Sequence, residues 1–152
     1  MTDLERLLAI EEIKKLKARY FRFADTKQKQ PFRDLFTSDA TVLYHDVDSE
    51  FRPLTDVLDK LEAVMDQCTS IHKGYMPEID ILSPTEARGI WAMEDYLFWH
   101  ADHPDGITQM IGRGHYHETY VFQDGAWKIR TLELTRLRVE VQSLPKTFRV
   151  EP

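Results

Sequence analysis

An acidic residue, Asp95, lies in the middle of residues 89–99, a run that otherwise has the composition of a buried strand. Alternate residues of a strand share one face, so Asp95 is expected on the same side as Trp91, Met93 and Leu97. A carboxylate on an apolar surface is costly unless it is paired or hydrogen-bonded. The position therefore indicates either a neutralised structural ion or part of a polar site inside an apolar pocket.

Four other side chains could form such a site with Asp95, namely Tyr20, Asp25, His72 and Arg136. We expect Asp95 to hydrogen-bond one imidazole nitrogen of His72, so that the other nitrogen can remove a proton beside a carbonyl or relay one to a leaving hydroxyl. The Tyr20 phenol could polarise that carbonyl, and Arg136 could neutralise Asp95 or bind a substrate oxygen. The alternative is a buried structural pair, or two residues that never meet.

Length, composition and charge limit the class of protein. The 152 residues fit a single domain, residues 1–152, with 42% hydrophobic residues, 30% charged residues and a net charge of −6. Basic residues do not cluster, so we expect no nucleic-acid partner. The single Cys68 allows no internal disulfide. Neither a signal peptide nor an apolar run of membrane length is visible, so a cytoplasmic protein without a membrane partner is the expectation.

The hydrophobic pattern predicts helices first and strands after them, an α+β layout. Thr2 and Glu5 form a capping box that starts a long amphipathic helix, which is expected to end within residues 25–29. Asp25 lies about 140° around an ideal helix from Tyr20, so the two share a face only if the helix ends between them. The segments that follow are a helix or turn around Phe32, a turn at 37–39, a strand at 40–45, a helix from near Thr55, and strands at 70–82, 87–100, 107–123 and 126–142, with turns at 83–85, 102–106 and 123–125.

Both faces of the strand at 89–99 are apolar. The side opposite Asp95 carries Ile90, Ala92, Tyr96 and Phe98. An antiparallel sheet with one wet face should alternate more cleanly. We therefore expect one face to line the core or a cavity, and the other to be covered by a helix or by a second subunit. A homo-oligomer, either a dimer or a trimer, is the assembly that this pattern predicts.

Several segments, through their order and spacing, resemble the SnoaL-like branch of the cone-shaped superfamily that includes ketosteroid isomerase, scytalone dehydratase and nuclear transport factor 2. They are the helix end at 18–21 with Asp25 beyond it, and residues 34–40, 71–74, 114–120, 124–129 and 134–137. The resemblance covers nearly the whole chain. It implies a cystatin-like α+β barrel, in which N-terminal helices close a strongly curved antiparallel sheet around a deep apolar pocket. That fold hosts enzymes and binding modules alike.

Within the superfamily, the chain looks most like dehydratases that act on hydroxylated rings, such as scytalone dehydratase and bile acid 7α-dehydratase-like proteins. The resemblance implies a catalytic set that falls in matching order and context: Tyr20, Asp25, His72, Asp95 and Arg136. It also implies a second pocket tyrosine at Tyr44. The candidates for substrate binding are Tyr44, Tyr116, His117, Trp91 and Met76, of which the last two are equally good core residues.

Two histidines, His115 and His117, share a strand face and depart from the pattern of these relatives. Imidazoles at this spacing can bind a metal when a carboxylate supplies a third ligand. The relatives need no metal or other cofactor, so we expect none. Tyr116 and Glu118 occupy the opposite face, and the sequence leaves open which face lines the pocket.

Together these observations predict a cofactor-independent lyase, a dehydratase-type acid–base catalyst acting on a small hydroxylated aromatic or polycyclic, steroid-like substrate. Loss of formaldehyde would use the same acid–base set. The alternative enzymes are an isomerase and an epoxide hydrolase, the latter with Asp25, Asp95 and Arg136 activating water. The third hypothesis is a module that binds an apolar ligand without changing it, for which few polar pocket residues would suffice.

Overall fold

The computed structural model of the protein describes residues 1–46, 48–100, 103–104 and 106–143. Within these ranges the helices are α1 (Asp3–Asp25), α2 (Lys29–Arg33) and α3 (Leu54–Asp66). The strands are β1 (Phe36–Tyr44), β2 (Arg52–Pro53), β3 (Cys68–Ser83), β4 (Glu86–Trp99), β5 (Ile107–Gln123) and β6 (Ala126–Ser143). The α+β architecture expected from the sequence is confirmed. None of the helices in these ranges is long and apolar enough to cross a membrane.

Helix α1 begins as the capping box predicts. The Thr2 backbone N–H donates to Glu5 Oε2 at 2.7 Å, and the Glu5 N–H donates to Thr2 Oγ1 at 3.2 Å. The buried face of the helix carries Ile13, Leu16 and Tyr20. The helix then continues through Asp25, so Asp25 lies about 140° around it from Tyr20 and the two residues do not share a face.

One curved six-stranded sheet carries the core, in the order β2-β1-β6-β5-β4-β3. Its neighbouring strands are antiparallel except for β1 and β6, which pair in parallel. The sheet is open, with β2 and β3 at its edges. The buried core on its inner face includes Val42, Trp91, Tyr116, Tyr120, Ile129 and Leu132, packed against side chains of α1 and α3.

Strand β1 begins earlier than the sequence predicts. It starts at Phe36, so residues 37–39, predicted as a turn, belong to the strand. The pairing with β6 shifts register between Phe36 and Thr41. An irregularity of this kind accommodates turn-forming residues without ending a strand, and Ser38 and Asp39 are exposed there. The predicted turn at 102–106 lies partly outside the described residues.

A β-bulge in β6 sets the direction of two arginines. Arg113 of β5 pairs with Arg138, whereas the next residue, Gly114, pairs with Arg136, so Leu137 is the extra residue. The bulge breaks the strict alternation that would have put both β6 arginines on one face. The Arg136 side chain is 12% exposed and the Arg138 side chain is 70% exposed. The two arginines therefore point to opposite faces of the sheet, which strict alternation would not produce.

The outer face of the sheet is apolar in part. Ile90 and Phe98 of β4 are 37% and 36% exposed, and Leu137 of β6 is 76% exposed. No helix in the described part of the chain covers these side chains, since α1, α2 and α3 pack on the inner side of the sheet. The expected homo-oligomer stays a prediction.

Candidate active site

A cavity of about 230 Å³ lies between the inner face of the sheet and the three helices. Its apolar wall comes from side chains of all three helices and from β4, β5 and β6: Phe23, Ala24, Phe32, Leu61, Met65, Leu97, Met110 and Leu134. Its polar wall holds Tyr20, Lys27, Tyr44, Asp46, His72, Asp95, Tyr116 and Arg136, with further charged groups of α2 and α3 among the remaining lining residues. Apolar clefts with a few convergent polar groups are the usual form of small-molecule sites.

His72 forms a hydrogen-bonded pair with Asp25. His72 Nδ1 lies 2.6 Å from Asp25 Oδ1, and the His72 backbone N–H donates to Asp25 Oδ2 at 2.9 Å. An ionised carboxylate can only accept, so Nδ1 carries the ring proton and Nε2 is left as the basic nitrogen. His72 lines the cavity and its side chain is 11% exposed, while Asp25 lies behind it.

The place of His72 in the sheet explains this pairing. β3 is an edge strand, so the His72 backbone N–H points away from the sheet and is free to bind the end of α1. Phe21, one turn before Asp25, stacks on the imidazole with the ring planes 13° apart. Gly74 leaves the space for Phe21, because a Cβ at Gly74 would lie 2.6 Å from the Phe21 ring.

Asp95 is paired with Arg136. Asp95 Oδ2 lies 2.9 Å from Arg136 Nη1, and Arg136 Nε donates to Asp46 Oδ2 at 2.8 Å. The other Asp95 oxygen, Oδ1, is inaccessible to solvent and has no hydrogen-bond partner in the described part of the chain. It lies against Gly112, where a Cβ would be 2.2 Å from Oδ1 and 2.3 Å from Arg136 Nη1. Only glycine therefore leaves room for this ion pair.

The predicted hydrogen bond between Asp95 and His72 is not present, and the prediction is corrected. The two residues are directly opposite on β3 and β4, as the shared face requires. The carboxylate that binds the His72 imidazole, however, is that of Asp25, because the end of α1 reaches the edge strand β3. The Asp95 carboxylate is instead paired with Arg136. The burial of Asp95, at 3% exposure, and its position beside Trp91, Met93 and Leu97 agree with the alternation of the strand.

Three tyrosines surround the cavity, and all three are held in the neutral form. Burial raises the pKa of Tyr44 to about 12, against a hydrogen bond from Tyr20 that acts to lower it. Burial, followed by the proximity of Tyr116, places the pKa of Tyr20 well above its usual range. Burial and the Asp95 charge do the same for Tyr116. These phenols are therefore hydrogen-bond donors at neutral pH, and His72 is the candidate base among them.

Beneath the tyrosines lies a buried ion pair that was not predicted from the sequence. Lys17 Nζ is 2.5 Å from Glu118 Oε1, and both side chains are fully buried. The ammonium also lies 4.0 Å from the centroid of the Tyr20 ring and 3.6 Å from that of Tyr116. Burial lowers the pKa of Lys17, and the Glu118 carboxylate opposes that shift.

The polar chain continues from Glu118 into the core. The Tyr120 hydroxyl donates to Glu118 Oε2, and the Trp91 indole N–H donates to the Tyr120 oxygen at 2.9 Å. A signal for this network existed in the sequence. Lys17 falls on the buried stripe of α1, and Glu118 falls between two inward-facing tyrosines of β5.

The predicted substrate-binding residues divide into two groups. Tyr44 and Tyr116 line the cavity. Trp91 is a buried core residue that is not part of its wall. Met76 is 92% exposed, because the pairing of β3 with β4 shifts register between Tyr75 and Glu78. The expectation that Trp91 and Met76 line the pocket is therefore corrected.

His117, the last of these candidates, lies on the outer face of the sheet. Its Nε2 is 3.3 Å from Thr135 Oγ1, and His115 is its neighbour on that face, with ring centroids 6.3 Å apart. The face that lines the cavity is thus the one with Tyr116 and Glu118. Among the described residues, no group of three His, Cys, Asp or Glu side chains, including these histidines, is arranged to hold a metal ion.

The arrangement can transfer protons within an apolar cavity. A basic imidazole nitrogen, oriented by a carboxylate, lies on one edge of the sheet. Neutral phenols of Tyr20, Tyr44 and Tyr116 lie farther across its inner face. Carboxylates outweigh the effect of burial and raise the pKa of Arg136, so its charge is retained beside them. A base, hydrogen-bond donors and a fixed cation are the groups that acid–base catalysis at carbon requires.

The family model of the SnoaL-like domain matches residues 5–133 of the chain. Among curated proteins, the chain is 29% identical over 135 residues to the probable cyclase FGR4 of Gibberella zeae. That alignment covers 82% of this chain and 89% of the cyclase.

Solved structures share the fold over the whole chain. The putative scytalone dehydratase of Novosphingobium aromaticivorans matches with a TM-score of 0.80 at 21% identity, covering 99% of this chain and 100% of that one. The hexachlorocyclohexane dehydrochlorinase LinA-type3 of Novosphingobium barchaimii matches with a TM-score of 0.76 at 19% identity, covering 99% of this chain and 100% of that one. At these identities the likeness establishes the fold alone. The predicted closeness to bile acid dehydratases stays a prediction.

Proposed function

This chain belongs to the SnoaL-like domain family, as its sequence pattern predicted, and we propose that it is a lyase. The proposal is argued from the cavity, because this fold hosts both enzymes and binding modules. In this proposal, His72 removes a proton from carbon and a leaving group departs from the neighbouring carbon, with the protein's own side chains as the catalytic groups. The observation that carries the proposal is the 2.6 Å contact of His72 Nδ1 with Asp25 Oδ1 at the wall of an apolar cavity.

The side chains of the site can carry every proton transfer that the elimination requires. His72 Nε2 takes a proton from the carbon beside a carbonyl, and the electrons of the C–H bond pass to an enolate whose oxygen accepts hydrogen bonds from the pocket phenols. The enolate then reforms the carbonyl while the bond from the β-carbon to oxygen breaks. The departing hydroxyl takes the proton from His72 and leaves as water. Asp25 stabilises the imidazolium that exists between the two steps.

Size and polarity support a small substrate. A cavity of about 150 Å³ holds benzene, so the about 230 Å³ of this cavity suit a molecule of about two rings. Four fused rings would exceed this volume. The relatives named as a cyclase, a dehydratase and a dehydrochlorinase fit reactions that can begin by removing a proton from carbon, which favours this reading over a hydrolase.

The test uses two probes in the presence of a chelator. A β-hydroxytetralone, a two-ring ketone with its hydroxyl on the β-carbon, would lose water and aromatise to the naphthol, which fluoresces. Hexachlorocyclohexane would lose hydrogen chloride. We expect turnover of at least one probe by the wild-type protein and a loss of roughly 10²–10⁴-fold in His72→Gln.

Other outcomes would move the assignment. Wild-type rates in a folded His72→Gln variant would contradict the proposal, and a product that has gained water would indicate a hydrolase. Return of the proton to another carbon would indicate an isomerase using the same base. Tight retention of an unchanged probe by both the wild type and His72→Gln would support a binding module.

A further inference from the structure

Lys27 has an unusual backbone conformation for its residue type. Its φ is +58°, in the left-handed region that glycine favours, and among the described non-glycine residues it shares a positive φ only with Asp124. The position is the first beyond the C-cap Thr26 of α1. Gln28 N–H donates to Phe23 O at 2.9 Å, and Lys27 N–H donates to Ala24 O at 3.3 Å. This Schellman motif is usually closed by glycine.

The side chain of Lys27 offers a reason for the strained position. Its Nζ donates to Ser70 Oγ at 2.8 Å, and Ser70 Oγ donates to Asp25 Oδ1 at 3.0 Å. Asp25 Oδ1 is the same oxygen that lies 2.6 Å from His72 Nδ1. Ser70, in the middle of this hydrogen-bond chain, is 4% exposed, and Lys27 lines the cavity.

The directions of these hydrogen bonds follow from the groups themselves. An ammonium can only donate, so the Ser70 oxygen is the acceptor of the bond from Lys27, and its own proton is free to point to Asp25. An ionised carboxylate can only accept, so Asp25 receives the protons of both Ser70 and His72. Lys27 thereby fixes the hydroxyl, the carboxylate and, through them, the orientation and tautomer of the imidazole.

We propose that Lys27 is a positioning residue for the Asp25–His72 pair, and that the chain keeps a lysine in a glycine position because its side chain orders this pair. The inference rests on the proposed function. Glycine at position 27 would relieve the backbone strain and delete the ammonium, so stability and site order should move in opposite directions. Replacing a lysine that only lies at the surface of a helix end would not change stability and site order in opposite directions.

The test compares Lys27→Gly with two matched variants. Lys27→Arg keeps a cationic donor at the same place. Asp124→Gly relieves a positive φ of +55° in the turn between β5 and β6, away from the cavity. Thermal unfolding gives stability. The Nδ1–H signal of His72, in protein carrying isotope-labelled histidine and assigned by its loss in His72→Gln, reports the hydrogen bond to Asp25.

We expect both glycine variants to unfold at higher temperature than the wild type. In Lys27→Gly, the His72 Nδ1–H should exchange with water roughly ten-fold faster or broaden beyond detection, while Lys27→Arg and Asp124→Gly keep the wild-type signal. An unchanged Nδ1–H in Lys27→Gly would overturn the proposal, and so would a lower unfolding temperature in that variant. If the proposed lyase function alone were wrong, these signals would behave as expected while neither probe is turned over.

Discussion

His72 and Asp95 face each other across β3 and β4, yet each is bonded to a different partner. His72 is held by Asp25 at the end of α1, and Asp95 is held by Arg136 on β6. The cavity therefore has two separate charged pairs on its wall. One contains the candidate base, and the other fixes a cation without contacting that base.

The Asp95–Arg136 pair should be a stability element. Asp95→Asn removes the charge that compensates a mostly buried Arg136, whose other carboxylate contact in the described part of the chain is Asp46. We expect a loss of about 3 kcal/mol in the free energy of unfolding, at the low end for breaking a buried ion pair because Asp46 remains. Urea unfolding measures it. A loss below about 0.5 kcal/mol would mean that the pair contributes no more than an exposed one.

A side chain at Gly112 should lower the stability of the protein by displacing the Asp95–Arg136 pair. A methyl group there would lie 2.2 Å from Asp95 Oδ1 and 2.3 Å from Arg136 Nη1. Gly112→Ala should therefore displace the pair and cost about 1–3 kcal/mol. A double-mutant cycle with Asp95→Ala is the control, since the smaller residue vacates the space. Equal costs of Gly112→Ala in both backgrounds would show that the strain arises elsewhere.

The buried Lys17–Glu118 pair should show strong coupling. Lys17→Met leaves Glu118 as an uncompensated buried charge, and Glu118→Gln does the same to Lys17 while still accepting from Tyr120. Each single change should cost about 3–5 kcal/mol, whereas the double variant should cost much less than their sum. Chemical unfolding of the four proteins gives the coupling energy. Strict additivity would contradict the assignment of these two side chains as one ion pair.

Tyr44 should make the fold sensitive to alkali. Burial raises its pKa from 10.0 to about 12. Between about pH 10 and about pH 12 the folded state therefore keeps the phenolic proton that the unfolded chain loses. Between these two pKa values the unfolded state binds fewer protons than the folded state, so the free energy of unfolding falls as pH rises from about 10 to about 12. Below about pH 10 that stability is fully retained. The loss of stability caused by Tyr44 should reach about 3 kcal/mol, at about 1.4 kcal/mol for each of the roughly two pKa units. Tyr44→Phe should flatten the fall in urea unfolding measured against pH, and an identical slope in the two proteins would refute the assignment.

Much of the fold follows from local signals. The capping box at Thr2 and Glu5 starts α1 as predicted, and the strands from β3 onward lie close to their predicted limits. Alternation alone placed Asp95 on the buried face of β4. These features depend on residues near one another in sequence, where periodicity and capping act.

The hydrogen-bond partners within the site could not be predicted from such local sequence signals. The contact of Asp25 with His72 depends on where the end of α1 meets the edge of the sheet, and 47 positions separate the two residues. The directions of Met76, Arg136 and Arg138 depend on register shifts that no alternation pattern reveals. Lys17 was not among the predicted site residues, although its spacing in the sequence places it on the buried stripe of α1.

The Asp25–His72 pair is tested by comparing three proteins, the wild type, Asp25→Asn and Asp95→Asn, in the elimination reaction of whichever of the two probes the wild type turns over. Asparagine in place of Asp25 can no longer stabilise the imidazolium of His72, so kcat should fall by roughly 10²–10⁴-fold in that variant. Asp95→Asn should lose less, because Asp95 is bonded to Arg136 and not to the base. A wild-type kcat in folded Asp25→Asn, or a larger loss in Asp95→Asn, would contradict the assignment of Asp25 and His72 as the catalytic pair.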